Sequence, residues 1–196
     1  VSTAFLATVG IAAGVIKLIG LIPYVKDIFR KKTKPERATW WIWTILNAVA
    51  LGALIDAGGK WQLIMIVCQT LITGLIAILS VRFGYGTFRR KDMISIICAV
   101  IGVVLWQVTD QPILALLVVI AVDALAALLT AVKTWEDPTT ETLSAWIMST
   151  LGDFFGVLAV GTLNTTQLSY PVYILVADAA VMSIIFYRRK HFARAV

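Results

Sequence analysis

Seven stretches of about twenty mainly apolar residues, joined by short loops, constrain this chain more than any other feature. They run roughly from Ala4 to Phe29, Thr39 to Asp56, Trp61 to Phe83, Met93 to Thr109, Pro112 to Thr134, Leu143 to Leu163 and Leu168 to Tyr187. A helix needs about 20 such residues to cross the hydrocarbon core of a bilayer. Each stretch is therefore expected to be a transmembrane helix. The loops leave no room for a soluble domain, so residues 1–196 are expected to form a single membrane domain. Composition agrees: 60% of the chain is hydrophobic and only 14% is charged, against about 25% charged in soluble domains. Intrinsic disorder is excluded as well, because it requires low hydrophobicity.

The placement of basic residues predicts the topology. Of the 17 Lys and Arg, all but Lys17 and Lys60 fall on alternate connections. Lys26, Arg30, Lys31, Lys32, Lys34 and Arg37 occupy the first loop. Arg82, Arg89, Arg90 and Lys91 lie on the third, Lys133 on the fifth, and Arg188, Arg189, Lys190 and Arg194 on the tail. Basic loops stay on the cytoplasmic side. The N-terminus is therefore expected outside and the C-terminus in the cytoplasm of a bacterial inner (plasma) membrane. The net charge of +6 belongs to these loops and gives no reason to expect nucleic acid as a partner. Trp40, Trp41, Trp43, Trp61, Trp106, Trp135 and Trp146 lie near predicted span ends, where amphipathic rings prefer to sit; Trp146 is deepest and is a candidate cavity residue. The start of the chain lacks a basic segment and a small-residue cleavage site, so no signal peptide is expected.

An internal repeat is legible. Spans one to three overlay spans five to seven with a shift of about 106 residues, placing Lys17 on Asp123, Trp40 on Trp146 and Asn47 on Asp153. In the third pair the shift grows to 109, placing Gln69 on Asp178. One extra span between the copies restores their orientation, so the two repeats should be parallel. The expected organisation is a first three-helix repeat over 1–86, a linker helix over 90–109 and a second repeat over 111–190.

The segments Leu21-Ile22-Pro23-Tyr24-Val25-Lys26-Asp27-Ile28, Lys32-Thr33-Lys34-Pro35 and Thr39-Trp40-Trp41-Ile42-Trp43 carry a resemblance. With the 3+1+3 pattern they resemble the SWEET sugar facilitators, the PQ-loop proteins and the nicotinamide-riboside-type vitamin transporters. They look closer still to a group of uncharacterised bacterial seven-span proteins. The resemblance implies an all-α membrane fold of two parallel three-helix bundles joined by a linker helix. It also implies substrate binding near the third helix of each bundle, at Gln69 and Asp178 here, with Pro23 as a hinge. The chain departs from the pattern: Tyr24 follows Pro23 where PQ-loop proteins carry Gln, and Pro23 is the only proline read inside a bundle helix.

Polar residues inside hydrocarbon are costly, at roughly 2.5–3.5 kcal/mol for a central Asp or Lys. Each of the six repeat helices carries one at similar depth: Lys17, Asn47, Gln69, Asp123, Asp153 and Asp178. They must face inward, pair, or line water. Gln69, Asp178, Asn47, Asp153 and Trp146 are the candidate substrate-binding residues, and Lys17 with Asp123 is the candidate gating charge pair. As interhelical glue the same residues would be structural. Gly10, Gly14 and Gly20 are read as close-packing positions, and Cys68 and Cys98 as small buried residues. No metal-ligand set or nucleophile–base pair is visible, so neither enzyme activity, a metal nor a cofactor is expected. Two functions compete. One is a transporter or facilitator of a small polar molecule through a midplane cavity, proton coupling included. The other is a non-transporting structural or assembly subunit of a larger membrane complex. The partners expected are a small polar solute and the lipid bilayer, with homo-oligomerisation left open.

Overall fold

A computed structural model describes residues 1–33, 35, 37–84, 93, 97, 100–101, 104 and 107–192. Among them the chain is helical and has no strand. The helices are α1 (Thr3–Phe29), α2 (Arg37–Asp56), α3 (Leu63–Phe83), α4 (Pro112–Glu136), α5 (Leu143–Leu158) and α6 (Thr165–Phe192), with a 3₁₀ turn at Pro138–Thr140. All but α5 are long and apolar enough to cross a membrane. That suits a multi-pass integral membrane protein.

One expectation about the spans changes. The predicted sixth span, 143–163, is a helix only to Leu158. The chain then turns through Gly161, whose φ of +68° is left-handed. A side chain on Gly161 would also collide with Leu6 of α1. The predicted linker helix over 90–109 lies largely outside the described residues.

Helix packing forms a closed ring. α1 packs on α3 and α5, α3 on α2, α2 on α4, α4 on α6, and α6 on α5. Lesser contacts join α3 to α5 and α2 to α6. Exchanging α1 with α4, α2 with α5 and α3 with α6 maps this set of pairings onto itself. Each trio has its third helix between the first two, and the trios meet first helix to second helix. The C-terminal ends of α1, α3, α4 and α6 gather at one end of the ring with the starts of α2 and α5. There Arg37 donates to the Ser80 and Val81 carbonyls of α3, Arg188 to Trp135 O of α4, and Arg189 to the Pro138 and Glu141 carbonyls. Cations at helix C-termini satisfy carbonyls that have no intrahelical partner. These arginines, with Lys26, Arg30, Lys31 and Lys32, define the basic end.

The apolar spans sort by face. The buried side of α1 is Val9, Gly10, Ala13, Gly14, Lys17, Gly20, Tyr24 and Ile28, a helical stripe of mainly small residues. Its outer side exposes Phe5, Ile11, Val15, Leu18, Ile19 and Ile22. Leu71, Ile78, Leu125, Val176 and Phe186 are exposed on the outer faces of the other helices. Such a belt is far larger than the apolar patches water-soluble monomers carry, and it matches a lipid-facing surface. Within a bilayer lipid competes for apolar contact, so close approach through small residues holds helices together. A Cβ on Gly10 would stand 2.5 Å from Trp61 O, one on Gly14 2.9 Å from Cys68 Sγ, and one on Gly20 2.7 Å from Met148 Cβ. The three glycines of α1 thus set its distance from α3 and α5.

Candidate functional site

The ring encloses a cavity of about 100 Å³. Its floor is polar and lies at mid-helix, made by Lys17, Asn47, Gln69, Asp123, Ser149 and Asp178. From there most of the wall runs toward the basic end, along Leu21 and Tyr24, Trp40 and Trp43, Ile72 and Ile76, Ala127, Ala145 and Trp146, and Val181. Beyond the floor in the other direction the ring is shut. Ala13, Ala50, Ala53, Leu54, Met65, Ile66, Ala115, Leu116 and Val119 pack there in one buried cluster. The cavity therefore extends from its floor toward the basic end, where Tyr24, Ile28 and Ile76 pack in a second buried cluster, and it stops on the other side at an apolar seam, much of it between α2 and α4.

Lys17 organises one side of the floor. Its Nζ lies 2.6 Å from Asp153 Oδ1, and it donates to Gln69 Oε1 (2.8 Å) and Ser149 Oγ (2.9 Å). Two of the ammonium's three donors thus go to Gln69 and Ser149, and Asp153 faces it as an ion-pair partner whose oxygens accept no hydrogen bond among the described residues. Ser149 Oγ in turn donates to Asp178 Oδ2 at 2.6 Å, and Asp178 stands 3.9 Å from the ammonium. Lys17 and Asp153 are both fully enclosed, with side chains 1% and 0% exposed. Gly152, one residue before Asp153, lets the Lys17 stem cross α5: a Cβ there would lie 2.5 Å from Lys17 Cγ.

The expected Lys17–Asp123 charge pair is not formed. Asp123 instead accepts from the Tyr173 hydroxyl at 2.6 Å. The reason is which helices touch. α1 packs on α5, which brings Asp153 to Lys17, whereas Asp123 of α4 meets Tyr173 of the neighbouring α6. On the other side of the floor, the Tyr170 hydroxyl donates to Asn47 Oδ1 at 2.9 Å, and Asn47 Nδ2 donates to Trp43 O at 2.8 Å.

The remaining candidates are placed as follows. Gln69, Asp178, Asn47 and Trp146 line the cavity, and Asp153 stands behind Lys17 as its counter-ion. The Trp146 indole N–H reaches Glu141 Oε2 at 3.1 Å. Pro23 lies inside α1, next to the cavity residue Tyr24. It is not alone: Pro171 lies inside α6, next to Tyr170, so the expectation of a single bundle proline is corrected. Each proline removes an N–H from its helix and weakens it locally.

Ser149, Tyr170 and Tyr173 were not anticipated from the sequence. Their signal is periodicity: 170, 173, 174, 177, 178 and 181 form one helical stripe of α6, with Tyr170 and Tyr173 on the face of Asp178. Among the described residues no cluster of metal-ligating side chains is found. No protein-family model matches the chain, and no curated protein or solved structure matches it either.

Proposed function

We propose that this chain is a SWEET-like seven-span protein of two parallel three-helix repeats and a linker helix. In this reading it works as a transporter or facilitator of a small polar solute. One observation carries the reading: a cavity with a polar floor at mid-helix that extends toward the basic end of the ring and stops at an apolar seam on the other side. Alternating access needs such a site and a seal that can exchange sides. The small-residue seam of α2 and α4 suits that exchange, because no ion pair spans it among the described residues. Pro23 and Pro171 are the hinge candidates, each on a helix that borders the cavity. With the basic end in the cytoplasm and the N-terminus outside, the cavity faces inward. Gln69, Asp178, Asn47 and Trp146 are the proposed solute contacts. Asp153 is reassigned from contact to counter-ion of Lys17.

A second reading, a non-transporting assembly subunit, has its own observation. Lys17 and Asn47 are already fully paired inside the protein, as interhelical glue would be.

Thiol labelling separates the two. In a Cys68→Ala, Cys98→Ala background, Ala127→Cys places a thiol on the cavity wall. A membrane-impermeant maleimide should label it in inside-out vesicles and not in right-side-out vesicles. Adding a transported solute should change that sidedness. Labelling from neither side, or equal labelling from both with no solute present, contradicts an inward-facing cavity.

A further inference from the structure

The charge accounting of the cavity, which rests on reading it as a binding site, narrows the ligand. The Lys17 ammonium donates to Gln69 and Ser149 and pairs with Asp153 behind it, and Asp178 shares the same ammonium at 3.9 Å. One cation thus stands against three carboxylates, two of which, Asp178 and Asp123, line the wall. Asp123 accepts from the Tyr173 hydroxyl and has no ion-pair partner among the described residues. A carboxylate in a water-poor site is costly without a positive partner. Toward the basic end, four aromatic residues belong to the wall: Tyr24, Trp40, Trp43 and Trp146. Ring faces attract cations, quaternary ammonium groups above all. An independent observation concerns Trp43. Its indole N–H is buried and has no acceptor among the described residues. A buried donor left unpaired is unfavourable, and a bare cation cannot satisfy it.

We infer that the cavity binds a small organic cation that carries an ammonium group and a hydrogen-bond acceptor, the ammonium at Asp123 and Asp178 and the acceptor at Trp43. Anions are repelled by both carboxylates, and neutral solutes leave Asp123 without a cation.

Matched probes test this on the purified protein in detergent, read by tryptophan fluorescence and thermal shift. Choline has both features, 3,3-dimethylbutan-1-ol is its uncharged isostere, and propyltrimethylammonium lacks the hydroxyl. Choline should bind saturably, about tenfold or more tighter than the uncharged isostere, as the loss of a charged contact implies. Propyltrimethylammonium should fall between them. Asp123→Asn, which keeps an acceptor for Tyr173, should cut choline affinity toward that of the isostere without lowering the melting temperature. Asp178→Asn is the second such variant. Trp43→Phe should bring choline to the level of propyltrimethylammonium. Equal binding of choline and its isostere, no saturable binding of either ammonium, or choline affinity unchanged in both Asp variants overturns the inference. Choline binding without uptake removes transport and leaves this ligand class standing. Uptake of neutral solutes alone does the reverse.

Discussion

Lys17→Met is expected to destabilise the protein by about 3–5 kcal/mol, the range found when one partner of a buried ion pair is removed. Asp153 is fully enclosed and has Lys17 Nζ at 2.6 Å. Without that ammonium two carboxylates, the buried Asp153 and Asp178, lose the cation that both face. The variant also frees Gln69 and Ser149 from their shared donor. Lys17→Met with Asp153→Leu should recover most of the loss, because well-packed apolar residues often replace a buried pair at no cost. Asp153→Asn alone should be milder, since Gln69, Ser149 and the Asp178 carboxylate still surround the ammonium. The readout is thermal unfolding in detergent, where about 2–4 °C corresponds to 1 kcal/mol for a chain of this size. Losses that simply add in the double variant would show that the two residues are not coupled.

Gly152→Leu should be nearly as damaging, by a different route. The added Cβ would lie 2.5 Å from Lys17 Cγ and 3.0 Å from Ala13 O. Neither neighbour has free space to move into: Ala13 belongs to the buried cluster, and Lys17 is held by three partners. Overpacking of this kind costs about 1–3 kcal/mol. Pushing the ammonium off Asp153 adds part of the cost of Lys17→Met. Gly74→Ala is the matched control, because its Cβ would meet only Thr44 Cγ2 at 3.6 Å. It should be neutral or gain up to about 1 kcal/mol from the better helix former. If Gly152→Leu melts with the parent, α1 and α5 do not approach as closely as described.

The sequence made the layer of polar residues legible, because a charge in an apolar span has few places to go. Lys17, Asn47, Gln69, Asp123 and Asp178 all reach the ring interior and line one cavity. The glycines of α1 were legible for the same reason, since small residues are the means of helix association in lipid. Pairing was not legible. The 106-residue overlay aligns Lys17 with Asp123, but alignment along the chain does not say which residues touch, and Lys17 meets Asp153 of α5 instead. Partner choice depends on which helices touch, and the order α1–α3–α2–α4–α6–α5 is not written in the hydropathy. The end of α5 escaped detection because apolar residues continue past Leu158, while the turn at Gly161 depends on backbone conformation. The direction in which the cavity opens was equally hidden. It arises from small residues packing on one side of the floor and bulky aromatic residues, Trp40 in contact with Trp43 and Tyr24, lining the space on the other.

Uptake by proteoliposomes tests most directly whether the cavity carries a solute. Labelled small amines, vitamins and sugars would be presented to vesicles holding the parent protein, to vesicles holding Asp178→Asn, and to vesicles without protein. Saturable uptake by the parent of at least one solute, reduced about tenfold or more in Asp178→Asn, is the predicted result. Parent vesicles that take up every solute no faster than empty ones would contradict transport and leave the ring of helices as a scaffold.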